Sequence, residues 1–114
     1  MDPEISFASQ RTDWSATLAD FANISAGPRT LLVSGLMLTP NECFSLRAGL
    51  QVRSGVITVT ITGTQASNLC GPSAGAYNYQ FLTSGLDPGS FQVRIVHTAA
   101  GVSQTVTEEN IVIN

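Results

Sequence analysis

There is no lysine in this 114-residue chain and only one histidine, His97. Charged residues make up 11% of it, less than half of the roughly 25% usual in globular proteins. The five basic residues are all arginines, Arg11, Arg29, Arg47, Arg53 and Arg94, spread along a chain of net charge −3. A scattered set of that size cannot form the basic stripe that neutralises a phosphate backbone, so nucleic acid is excluded as the expected partner. No apolar run approaches the roughly 20 residues that span a bilayer as a helix. The opening "MDPEISFASQRTDW" has neither the basic nor the apolar region of a signal peptide. The expectation is either a cytosolic chain or an exported one whose signal is not part of this sequence.

Recognisable chemistry is equally scarce. The chain has no GxGxxG or phosphate-binding loop, no GxSxG elbow and no CxxC pair. A Ser-His-Asp arrangement would have to draw on the abundant serines and Asp87, with no motif to hold them. A copper site would need Met37, Cys43 and Cys70 beside His97, and no spacing brings these together. Glu108 and Glu109 are the one carboxylate pair, but neighbours on a strand point to opposite faces and would not converge on a substrate. No catalytic residue, metal site or cofactor is therefore expected, and the chain is not read as an enzyme.

What is present argues for a folded β-protein. Apolar residues reach 43%, which with so little charge is the opposite of a disordered composition. The polar surface must come from Ser, Thr, Asn and Gln, and β-branched Thr suits strands better than helices. One domain over residues 1–114 is expected from the length. Cys43 and Cys70, 27 positions apart, are read as a disulfide in preference to two buried thiols. Closing a loop of that length would stabilise the fold by roughly 3–4 kcal/mol in the chain-entropy picture. A disulfide in turn implies an oxidising compartment: secreted, periplasmic or cell-surface.

From residue 30 onward apolar residues recur with period two. "GVITVTITGT" sets Ile57, Val59 and Ile61 against a ladder of Thr58, Thr60 and Thr62. "CFSLRAGL" turns Phe44, Leu46, Ala48 and Leu50 inward, and Ser54-Gly55 joins these two strands as a hairpin. "YNYQF" alternates Tyr77, Tyr79 and Phe81 with Asn78 and Gln80, and "SFQVRIVH" alternates Phe91, Val93 and Ile95 with Gln92, Arg94 and Val96. In "SGLDPGS" between them, Pro88 presets φ and Gly89 supplies a positive φ. "TLLVSGLMLT" is a buried strand or one that bends at Gly35 to change sheets. In "QTVTEENIVIN" the residues 108–110 suggest a bulge or break. The expected core is Phe44, Leu46, Ile57, Val59, Ile61, Tyr79, Phe81, Phe91, Val93 and Ile95, with His97 at its edge, bonded to a neighbour. Residues 1–29 are ambiguous. In "TDWSATLADFA", Trp14, Leu18 and Phe21 have helical spacing behind a possible Asp13 cap, while Ser15 and Thr17 favour a strand; either way Trp14 and Phe21 would pack on the core. Asn23-Ile24-Ser25 fits the N-glycosylation pattern and is read only as a surface-turn signal.

About seven short strands separated by turn signals predict an all-β, antiparallel sandwich. "GLDPGSFQVRIVH" and the strand after it resemble the E–F corner, F strand and G strand of immunoglobulin-like and fibronectin type III-like modules. "LTPNEC" and "NLCGP" are similar to cysteine-bearing turns in uncharacterised immunoglobulin-like domains of bacterial exported proteins and lipoproteins. The chain departs from antibody domains: Phe91 replaces the corner tyrosine, and Trp14 precedes both cysteines. The resemblance, over residues 30–114, implies a non-catalytic binding, adhesion or spacer module of an exported bacterial protein, with a protein or glycan partner. A small free-standing secreted binder, acting as inhibitor or as carrier of a ligand or metal, is the alternative. Its recognition surface would be the loop "GTQASNLCGPSAGA", residues 63–76, pinned by Cys70.

Overall fold

The computed structural model describes residues 3–66, 70, 71 and 73–114. It contains eight strands: β1 (Glu4–Thr12), β2 (Phe21–Gly27), β3 (Thr30–Thr39), β4 (Phe44–Arg53), β5 (Val56–Gln65), β6 (Gly75–Ser84), β7 (Gly89–Ala99) and β8 (Val102–Ile113). They form two four-stranded sheets, ordered β1-β6-β3-β2 and β4-β5-β7-β8. The sheets pack as a sandwich, with β2 lying over β8 at one side and β1 over β4 at the other. Two expectations are corrected. There are eight strands, where about seven were expected, and the arrangement is not wholly antiparallel, because β5 and β7 run parallel in the second sheet. A parallel neighbour cannot be reached by a tight turn. Here the chain leaves β5, crosses to the first sheet as β6, and returns as β7.

Hairpin chemistry sets the register where the chain does turn tightly. Ser54 and Gly55 both have positive φ (52° and 78°), and so do Ala100 and Gly101 (52° and 78°). These are the two-residue turns whose twist matches the flanking strands. β7 and β8 pair along their whole length except for one register shift, where Ile95 and Val96 face Thr107 and Thr105. The extra residue is Val106. The bulge therefore lies just before 108–110, and β8 runs through those residues unbroken.

Period two then decides what is buried. Ile57, Val59, Ile61, Phe81, Val93 and Ile95 are fully inaccessible, Tyr79 and Phe44 nearly so, and Leu46 and Phe91 pack partly buried against them. Burying each large apolar side chain contributes about 1.5–3 kcal/mol. The core also takes Leu31, Val33 and Met37 from β3, Ile113 from β8 and Leu86 from the β6–β7 connection. β3 does not change sheets. It pairs with β2 on one side and β6 on the other through all of its residues that face them. Gly35 is needed for another reason. A Cβ there would collide with the Phe21 backbone carbonyl of β2 and come within 2.7 Å of the Tyr79 hydroxyl, so its absence lets both the neighbouring strand and the Tyr79 ring approach.

Residues 1–29 contribute two strands and no helix among the described residues. Between β1 and β2 only one turn forms, with Leu18 N–H donating to Ser15 C=O (3.1 Å) and the Ser15 and Thr17 hydroxyls bonded to each other. Trp14 (48% exposed) and Phe21 (47%) do not pack on the core. Asn23-Ile24-Ser25 lies within β2, not in a turn.

Candidate functional site

His97 projects from β7 into the sandwich and is 2% exposed. Its Nδ1 lies 2.9 Å from Asp20 Oδ2 and its Nε2 2.6 Å from the Tyr79 hydroxyl; in the tautomer with the proton on Nδ1, the ring donates to the carboxylate and accepts from the phenol. The Asp20 carboxylate also accepts from the Gln104 amide (2.9 Å) and from Leu38 N–H (3.0 Å). Burial pushes the Asp20 carboxyl upward, but the bonds from His97 and Leu38, the nearby imidazole and the Gln104 amide outweigh it and hold the group below its usual range. Tyr79 is driven the other way, well above the ordinary phenol range, by burial and then by the Asp20 charge.

This Asp-His-Tyr row has the order of a nucleophilic relay, yet its chemistry runs against that use. A nucleophile needs a lowered pKa or a base free to accept its proton, and Tyr79 is held firmly protonated. What separates the row from a working relay is burial: Tyr79 is 3% exposed, so the phenol oxygen that would attack lies closed off between the sheets. The row fastens three pieces together instead: the β1–β2 connection, β6 of the first sheet and β7 of the second. The carboxylate bonded to His97 is Asp20, 77 residues away, not Asp87. Asp87 is exposed and pairs with Arg29 at 3.8 Å.

Met37 does line a cavity of about 320 Å³ together with His97 and Asp20. Cys43 and Cys70 take no part, because they form a disulfide with a Cα–Cα distance of 5.9 Å, joining the approach to β4 to the β5–β6 connection. No group of three metal-ligating side chains occurs among the described residues. Glu108 lies on the outer face of the second sheet, bonded to Gln92 (2.7 Å) and Arg94 (3.0 Å), apart from exposed Glu109. The proposed recognition loop 63–76 is shorter than its sequence suggests, since 63–65 belong to β5 and 75–76 to β6. Residues 67–69 and 72 of that loop lie outside the described residues.

A second candidate lies on a different surface. On the outer face of the first sheet the register sets Ala8, Gln80, Ser34 and Asn23 side by side across β1, β6, β3 and β2. The next row is Gln10, Asn78, Leu36 and Phe21. Over these two rows lies an open depression of about 560 Å³, lined by Gln10, Phe21, Asn23, Ser34, Asn78 and Gln80 among others. That volume is within the range of small-ligand sites. None of the four amides has a hydrogen-bond partner among the described residues. The outer face of the second sheet pairs Arg94 with Glu108 and Thr98 with Ser103 (2.8 Å) and leaves Gln51 and the Thr58, Thr60 and Thr62 ladder unpaired among the described residues, with no comparable cluster of amides. Among the outward positions of the four strands only Glu4, at one end, is charged.

Sequence reasoning placed Asn78 and Gln80 opposite Tyr79 but did not single them out, and it read Asn23 as part of a turn. Alternation alone puts Asn78 and Gln80 outward; what it lacked was the order of strands, which sets Asn23 and Gln10 beside them.

Comparison of the chain with protein-family models, with curated proteins and with solved structures finds no match. The likeness of residues 85–97 to an immunoglobulin-like or fibronectin type III-like corner thus has no matched relative behind it. What the chain itself establishes is an all-β, two-sheet sandwich closed by one disulfide.

Proposed function

We propose that this chain is a non-catalytic binding module of an exported protein, and that it recognises its partner with the outer face of the first sheet. One observation carries this reading: four side-chain amides, spread over three strands, surround an open depression with their donors and acceptors unspent. Amides left over on a solvated surface cost nothing, but a cluster of them around a concavity is poised to exchange water for a ligand's polar groups. The Cys43–Cys70 disulfide supports export, since such bonds persist in oxidising compartments. The Asp20–His97–Tyr79 row supports a non-catalytic role, because its one hydroxyl, on Tyr79, is buried between the sheets and held in its protonated form by burial and the Asp20 charge.

The rival reading, a binder acting through the connection between β5 and β6, has the disulfide in its favour, and both can be tested together. The folded chain is labelled and its retention on envelope material of the source organism is measured. Asn78→Arg with Gln80→Arg should abolish retention, and Thr60→Arg with Thr62→Arg on the opposite sheet should leave it unchanged. Retention that survives the first pair but is lost on replacing Ser73 and Ala74 with bulky residues would favour the loop instead.

A further inference from the structure

Resting on that reading, we infer that the ligand is a neutral, polyhydroxylated chain, an uncharged glycan lying across the face from the Phe21 row towards the Leu32 row. Three features of the face point to it. First, each amide offers both a donor and an acceptor, and a pair of neighbouring sugar hydroxyls needs one of each. Asn23, Ser34 and Gln80 sit on adjacent strands, at steps of about 4.8 Å, so their polar ends form a continuous row. Gln10 and Asn78 form the beginning of a second row beside it.

Second, the polar rows are flanked by apolar surface. Phe21 is 47% exposed at one side, and its ring can lie against the C–H face of a sugar, the amphipathic use to which exposed aromatics are suited. On the other side Leu32 and Leu82, directly paired across β3 and β6, remain 38% and 44% exposed. Outward residues two apart on a strand are about 6.7 Å apart, so the Phe21 and Leu32 rows are separated by about 13 Å. That reach suits a short oligosaccharide and exceeds a single ring.

Third, the face carries no cation, and its one charged outward residue, Glu4, lies at the end beyond the Leu32 row. A uronate, sulfate or phosphate group would call for arginine or lysine. The chain has no lysine, and its arginines lie elsewhere: Arg11 pairs with Glu42, Arg29 with Asp87 and Arg94 with Glu108, while Arg47 and Arg53 are on β4 of the second sheet. An extended peptide would be expected to pair with a free strand edge, where backbone groups are open, and would gain little from a cluster of amides in the middle of a sheet.

Affinity electrophoresis through gels containing a neutral polysaccharide (glucan, mannan, xylan or galactan) or a charged one (polygalacturonate or dextran sulfate) tests the inference. The chain should be retarded by at least one neutral polymer and by neither charged one. Phe21→Ala, and Asn78→Ala with Gln80→Ala, should each weaken that retardation by roughly tenfold or more, as expected for loss of hydrogen bonds or a stacking platform. Thr60→Ala with Thr62→Ala should not change it. Phe21, Asn78 and Gln80 are exposed and Thr60 and Thr62 half-buried on an outer face, and far-ultraviolet dichroism of each variant checks that folding is kept. Absence of retardation in every neutral polymer, retardation only by the charged ones, or retardation indifferent to the Phe21 and amide variants would each overturn the inference. If the neutral polymers fail while Asn78→Arg with Gln80→Arg still abolishes retention on envelope material, the face binds a protein, and only the glycan assignment falls.

Discussion

Asp20 receives three hydrogen bonds, from an imidazole, an amide side chain and a backbone N–H, and so carries much of the contact between the β1–β2 connection and the sandwich. Its carboxyl is held below the usual value of 3.8. A depressed folded-state value means that ionised Asp20 stabilises the fold at every pH above 3.8, and that this contribution is lost as pH falls through the lower, folded-state value. Asp20→Asn should therefore cost about 1–3 kcal/mol near neutral pH, and the gap from the parent should close progressively in acid. Urea denaturation from pH 7 down to pH 2 measures this; a gap constant with pH would show that the charge of Asp20 is irrelevant. Thr83 presents the reverse case. Its hydroxyl is fully buried on β6 and has no hydrogen-bond partner among the described residues. Replacing an unsatisfied buried hydroxyl by a methyl group of similar shape removes a desolvation cost. Thr83→Val should raise stability by about 1 kcal/mol in the same denaturation experiment, and a loss of stability would mean that the hydroxyl is satisfied after all.

At the scale of the strand, alternation was the legible signal, and it held where one face is buried and the other wet. β5 shows this most plainly. Ile57, Val59 and Ile61 are fully buried, while Thr58, Thr60 and Thr62 are half-buried on the outer face. Ile61→Ala should cost about 2–5 kcal/mol through lost burial and the cavity left behind, and Thr60→Ala less than half as much. Equal losses in thermal or chemical unfolding would mean the two faces have been exchanged. Pattern reading failed where residues answer to distant partners. Trp14, Leu18 and Phe21 have helical spacing, but the segment has to cross from the edge strand β1 to the opposite edge strand β2, and Asp20 within it is committed to His97 and Leu38. Gly35 looked like a bend because a glycine within a strand so often is one. What actually crowds it is the Phe21 carbonyl of β2 and the ring of Tyr79, 44 residues away and adjacent only after β3 and β6 pair. The same holds for the candidate site: Asn78 and Gln80 could be assigned outward from "YNYQF", but their assembly with Asn23 and Gln10 is a property of the strand order, which no local pattern contains.

Across the whole molecule the two outer faces have different occupations. The second sheet carries the Arg94–Glu108 pair and the Thr98–Ser103 bond beside a threonine ladder on β5, whereas the first gathers four amides around a depression. Between the sheets the Asp20–His97–Tyr79 row and the shared core join the two faces. The most direct measurement of this division is a titration of the isotope-labelled chain with the neutral oligosaccharide whose polymer retards it most, followed by proton–nitrogen correlation spectra. Side-chain amide signals of Gln10, Asn23, Asn78 and Gln80 should shift together and saturate with one affinity, while those of Gln51 and Gln92 on the second sheet stay in place. Shifts confined to the second sheet or to the β5–β6 connection would contradict the assignment of the outer face of the first sheet as the binding surface.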